Sequence, residues 1–81
     1  MNVNQIKSSM SVLSEELGFG LHIKDEEKTT TLFFDFPKNN EKINMDNVVD
    51  NIKVFAPILK FDIVGFGTGP NTWMIVLEFQ K

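Results

Sequence analysis

Thr29-Thr30-Thr31-Leu32-Phe33-Phe34-Asp35-Phe36 is the stretch on which the fold turns. Threonine and aromatic residues favour extended backbone. Because alternate residues of a strand point to opposite faces, Leu32, Phe34 and Phe36 share one side, and Thr31, Phe33 and Asp35 the other. Upstream, Phe19, Leu21 and Ile23 alternate with Gly20, His22 and Lys24, which predicts a partner strand. The polar run Asp25-Glu26-Glu27-Lys28 joins the two as a hairpin turn, and the segment from Pro37 to Lys42 closes the unit as a loop.

The segment Ile75-Val76-Leu77-Glu78-Phe79 echoes Leu32 to Phe36. It sits in a strand predicted over Thr72 to Gln80, with Trp73, Ile75, Leu77 and Phe79 opposed to Met74, Val76, Glu78 and Gln80. A strand from Ile58 to Phe66 precedes it, with Phe61 and Ile63 set against Lys60, Asp62 and Val64, and the turn falls on Gly67-Thr68-Gly69-Pro70-Asn71. Leu17 to Phe36 and Leu59 to Phe79 are similar in length, so the chain reads as a pseudo-repeat.

Each hairpin follows a helical pattern. Val3, Ile6, Met10, Leu13 and Leu17 recur at spacings of three and four, one stripe of a helix. Asn2 with Gln5 forms a capping-box pattern, and Gly18 stands where a left-handed C-terminal residue belongs. Met45, Val48, Val49, Ile52, Phe55 and Ala56 mark a second helix, capped near Asn44 or Asp46 and expected to end at Pro57. The expected fold is a single α+β domain over residues 1–81 in α-β-β-α-β-β order. Its four-stranded antiparallel sheet carries two helices on one face, a two-layer sandwich.

Composition narrows the function classes. The 81 residues are 42% hydrophobic, with eight Phe and one Trp, enough for a packed core. With no cysteine, a disulfide scaffold, a thiolate zinc site and a cysteine nucleophile are excluded together. The net charge is −3 and the basic residues are all lysine, so the bidentate arginine contacts and basic face of a nucleic-acid reader are missing. The opening Met1-Asn2-Val3-Asn4-Gln5 has no basic run leading into an apolar one, and the apolar run Trp73 to Leu77 is far too short for a membrane span. A cytoplasmic protein without nucleic-acid or membrane partners is expected. Small acidic proteins of this kind are common among phages and mobile elements.

No residue set points to catalysis, a metal or a cofactor. His22 is the only histidine and falls on a strand face opposite the core positions, where a solvated or cross-strand role is expected. Ser8, Ser9, Ser11 and Ser14 lie on the first helix without the flanking glycines of a nucleophile elbow. The acidic turn at Asp25 lacks the loop length and spaced oxygens of a calcium site. Gly65-Phe66-Gly67-Thr68-Gly69-Pro70 has the look of a phosphate-cradling loop, but a strand follows where such a site needs a helix. A hairpin loop using glycine for positive φ and close approach is expected, with Gly67, Thr68, Gly69 and Asn71 free to meet a partner.

The sheet face away from the helices is less polar than a solvated face should be. It is expected to carry Phe33, Val64, Phe66, Met74 and Val76, a protein-binding surface for a partner or a second copy. A bulge or register shift would turn some of these inward. The expected function is a non-catalytic interaction module: a regulator, inhibitor or immunity-type protein. The alternatives are an assembly subunit whose role is homodimerisation, and a ligand-binding domain or minor enzyme using His22, the glycine loop and Trp73.

Overall fold

The computed structural model describes residues 2–81; Met1, at the head of the segment examined for a leader, lies outside them. The elements follow in order as α1 (Val3–Leu17), β1 (Gly20–Asp25), β2 (Thr29–Pro37), α2 (Met45–Leu59), β3 (Phe61–Thr68) and β4 (Thr72–Gln80). This is the expected α+β architecture. The sheet is antiparallel throughout, in the order β1-β2-β4-β3, so the strands that carry Leu32 to Phe36 and Ile75 to Phe79 lie at its centre.

The two halves correspond element by element. Both helices have 15 residues, and each opens on an asparagine cap, Asn2 or Asn44. Asn2 and Gln5 complete the capping box at 2.9 Å in both directions. Each helix ends on a left-handed residue, Gly18 or Lys60, and then on a buried phenylalanine, Phe19 or Phe61. Glycine takes that conformation freely, whereas Lys60 adopts it at a steric cost. The loop also secures the end of α1, because Asn40 Nδ2 donates to the carbonyls of Leu17 (2.6 Å) and Gly18 (3.0 Å). The inner strands β2 and β4, nine residues each, pair Leu32 with Leu77 and Phe34 with Ile75. The two helix-hairpin units therefore meet about an approximate twofold axis between these strands.

The second helix runs past its expected end. Pro57 removes only the amide hydrogen that the Lys53 carbonyl would accept, and the helix continues to Leu59, which packs on the core. The Lys60 amide then caps the Ala56 carbonyl, so β3 begins at Phe61 rather than Ile58.

The core lies between sheet and helices: Ile6 and Phe19 with Leu32, Phe34, Phe36, Phe61, Ile75, Leu77 and Phe79. Leu32 and Ile75 are 1% and 0% exposed. Phe34 and Phe36 stack with centroids 5.7 Å apart, and Phe19 leans on both rings. The helices pack on opposite edges of the sheet, α1 over β1 and α2 over β3. Along α2 no residue is fully buried, and Val54, Phe55 and Ile58 are exposed.

Candidate functional site

Among the described residues no helix or strand covers the other face of the sheet. Its side chains fall into rows across β1, β2, β4 and β3, because directly opposed residues share a face. The middle row is His22, Phe33, Val76 and Gly65; beside it lie Gly20, Asp35, Met74 and Gly67. A third row, Lys24, Thr31, Glu78 and Asp62, is polar. Phe33 is 39% exposed and Met74 44%, with Val76 half-buried between them. The rings of His22 and Phe33 lie 5.8 Å apart as a cross-strand pair.

Glycine keeps this face flat. A Cβ at Gly65 would come within 3.1 Å of Val76 Cγ2, and one at Gly67 would meet Met74 Cε at 3.7 Å. Both glycines therefore let side chains of β4 lie down over the neighbouring strand. Close approach, and not positive φ, explains them: among the described glycines only Gly18 has a left-handed φ.

Phe66 does not belong to this face. The register of β3 shifts between Ile63, paired with Leu77, and Gly65, paired with Val76, leaving Val64 as an extra residue without a cross-strand partner. The extra residue reverses the alternation, so Phe66 pairs with Ile75 on the helix side. There it is 59% exposed, beyond the reach of the helices, with its ring 6.3 Å from Trp73. The apolar centre of the outer face is thus Phe33, Met74 and Val76, with Val64 at the bulge on the edge strand.

The remaining candidates separate. Gly67 and Thr68 belong to β3, and the turn proper is Gly69 to Asn71, closed by the Gly69 amide on the Thr72 carbonyl at 2.9 Å. The Asn71 carbonyl accepts from the Lys38 amide, and β4 follows directly, so a strand and not a helix continues from this turn. Trp73 shares the helix side with its partner Phe36, with Lys38 Nζ 4.8 Å from its ring centre. His22 and Trp73 therefore lie on opposite sheet faces and cannot line one pocket. On α1, the hydroxyls of Ser11 and Ser14 donate to the carbonyls of Lys7 and Phe19. Among the described residues no three His, Cys, Asp or Glu side chains are grouped to hold a metal ion, and no helix is long and apolar enough to cross a membrane.

Asp25 is a strongly perturbed carboxyl. Hydrogen bonds from Lys7 Nζ (2.7 Å) and Thr30 Oγ1 (2.6 Å), together with the charges of Lys7 and Lys81, bring its pKa from 3.8 to about 2. The cluster fastens α1 and the end of the chain to the first hairpin.

A second apolar feature escaped the sequence reading. Between α1 and α2 runs a groove of about 580 Å³, walled by residues such as Met10 and Leu13 on one side and Val48 and Ile52 on the other. The stripes that build it are visible in sequence, but the separation of the helices that opens it is not. Comparison with protein-family models, curated proteins and solved structures finds no match for this chain.

Proposed function

We propose that this chain is a non-catalytic protein-interaction module that binds through the open face of its sheet. The observation that carries the reading is the cluster Phe33, Met74 and Val76: apolar side chains of the two central strands, on a face that no described element covers and that glycine leaves flat. Aromatic and methionine side chains anchor protein interfaces because each removes a large apolar area from water. The turn at Gly69 to Asn71 adjoins the Met74 end of the cluster and widens the surface.

A homodimer is the second reading, favoured by the polar row. That row runs from Lys24 on one edge strand to Asp62 on the other. A copy related by a twofold axis along the strands would set Lys24 over the partner's Asp62 and return the same contact, the self-complementarity a closed dimer requires.

Phe33→Asp combined with Met74→Lys tests both readings. Circular dichroism should show an intact fold, while sedimentation and partner capture should show association lost. Strictly monomeric behaviour of both proteins, with capture unchanged, defeats the proposal.

A further inference from the structure

The sheet ends on two edge strands that hold equivalent places in the two halves, and their edges differ in kind. β1 is six residues long and carries Lys24, ion-paired to Glu26, and Asp25, held by Lys7. Charged side chains, lysine above all, keep an edge from pairing with another chain. β3 is longer, at eight residues, and carries Asp62 as its single charge, with neither lysine nor proline. Ile63, Val64 and Phe66 are exposed along it, and among the described residues its only strand partner is β4. We infer that this edge pairs antiparallel with the same edge of a second copy, joining two four-stranded sheets into one.

The bulge at Val64 decides the occupant. An ordinary strand places one residue between neighbours on the same face. β3 places two, Val64 and Gly65, between Ile63 and Phe66 on the helix side. An ordinary strand laid along this edge keeps its faces in step on one side of the bulge only, which is how a bulge blunts an edge. A second copy brings the same two-residue step. With a twofold axis between Val64 and Gly65, the midpoint of the strand, Ile63 lies across from Phe66 of the second copy, Phe61 from Thr68, and Asp62 from Gly67. The first two pairs lie on the helix side and the third on the outer face, so the strand is paired along its full length with its faces in step. A slip of one residue sets Ile63 against Gly65 on opposite faces.

Charge agrees with this register, because each Asp62 meets a glycine and no like charges are opposed. Ile63 of one copy covers Phe66 of the other, which the helices do not reach, and the contact occurs twice. The outer faces of both copies then lie on one side of the joined sheet, so Phe33, Met74 and Val76 stay open in each.

The test uses the full chain carrying Phe33→Asp and Met74→Lys, so that contact through the outer face is absent and only the edge is read. One strand pair is a small, weak interface with dissociation expected at about 0.1 mM, so the edge is apart at low micromolar concentrations and mostly paired at about 1 mM. Over that range amide hydrogen exchange should slow by up to about fivefold along β3 and stay unchanged along β1. In a mixture of ¹³C-labelled and unlabelled chains, the Ile63 methyls should show NOEs to the Phe66 ring of the other copy, and the parent chain should give the same contact. Ile63→Lys and Phe66→Glu, both at exposed positions and each checked for fold by circular dichroism, should separately weaken association about tenfold or more, because each buries a charge twice across the twofold axis. Mixed in equal amounts, the two variants set the introduced lysine against the introduced glutamate and keep one native Ile63–Phe66 contact. Association should return to within about threefold of the starting protein.

Unchanged exchange along β3 at the highest concentration would overturn the inference. So would contacts between copies in another register, or a mixture that associates no better than either variant alone. Because the outer face is already disabled in these measurements, failure of that interface leaves the edge pairing standing, and failure here leaves the interface standing.

Discussion

Gly65 and Gly67 sit two residues apart on one strand and one face, and alanine should affect them in opposite directions. Neither has positive φ, so the added methyl meets no backbone strain. At both positions alanine narrows the unfolded ensemble, a gain of about 0.4–1 kcal/mol. At Gly67 the nearest atom is the flexible Met74 Cε at 3.7 Å, an ordinary contact, and the gain survives. At Gly65 the new methyl faces Val76 Cγ2 at 3.1 Å and Val76 Cβ at 3.2 Å. A β-branched side chain has little rotamer freedom, and its Cβ moves only with the backbone, so β3 and β4 must part. Overpacking of this kind costs about 1–3 kcal/mol, which outweighs the gain. Thermal unfolding should therefore show Gly67→Ala raised by about 2–6 °C and Gly65→Ala lowered by about 4–8 °C. Two raised midpoints would refute both the register of β3 against β4 and the close packing that flattens the face.

Ile75→Ala should lower stability by about 3 kcal/mol in urea unfolding, a large share of the roughly 4–12 kcal/mol available to a chain of this length. Ile63→Ala, on the same face but 46% exposed on the edge strand, should cost about 1 kcal/mol or less. The Asp25 cluster predicts an acid limb. A carboxyl held at about 2 instead of 3.8 contributes stability fully above the ordinary value and loses it as pH falls from about 4 towards 2. Asp25→Asn should flatten that part of the pH–stability curve and leave the neutral region lower, measured by denaturant midpoints across the range.

Much of this was legible from residue order because local and global preferences agree. The stripe from Val3 to Leu17, the Asn2 and Gln5 box, Gly18, and the alternation in Thr29 to Phe36 and Thr72 to Gln80 each have one good solution. Phe66 could not be placed that way. Phe61-Asp62-Ile63-Val64-Gly65-Phe66 alternates acceptably as a plain strand, and the bulge exists only relative to β4, whose residues it must match. Pro57 misled for a related reason: its local cost is one hydrogen bond near a helix end, smaller than the gain from packing Leu59 on the core. The groove was hidden because helix separation is set by which sheet edge each helix covers, a property of the assembled layers. The outer face was partly legible, since Phe33, Met74 and Val76 fall on the polar phase of strands whose other phase is core.

The most direct test of the interface is the solvent accessibility of methyl groups. Paramagnetic relaxation from a soluble, inert spin probe would be followed by methyl NMR as the protein is concentrated or its captured partner is added. Protection is predicted at the Met74 and Val76 methyls, with those of Val54 and Ile58 on α2 remaining open to the probe. Protection at Val54 and Ile58 with Met74 still accessible would put the interface on the helix layer and contradict the account.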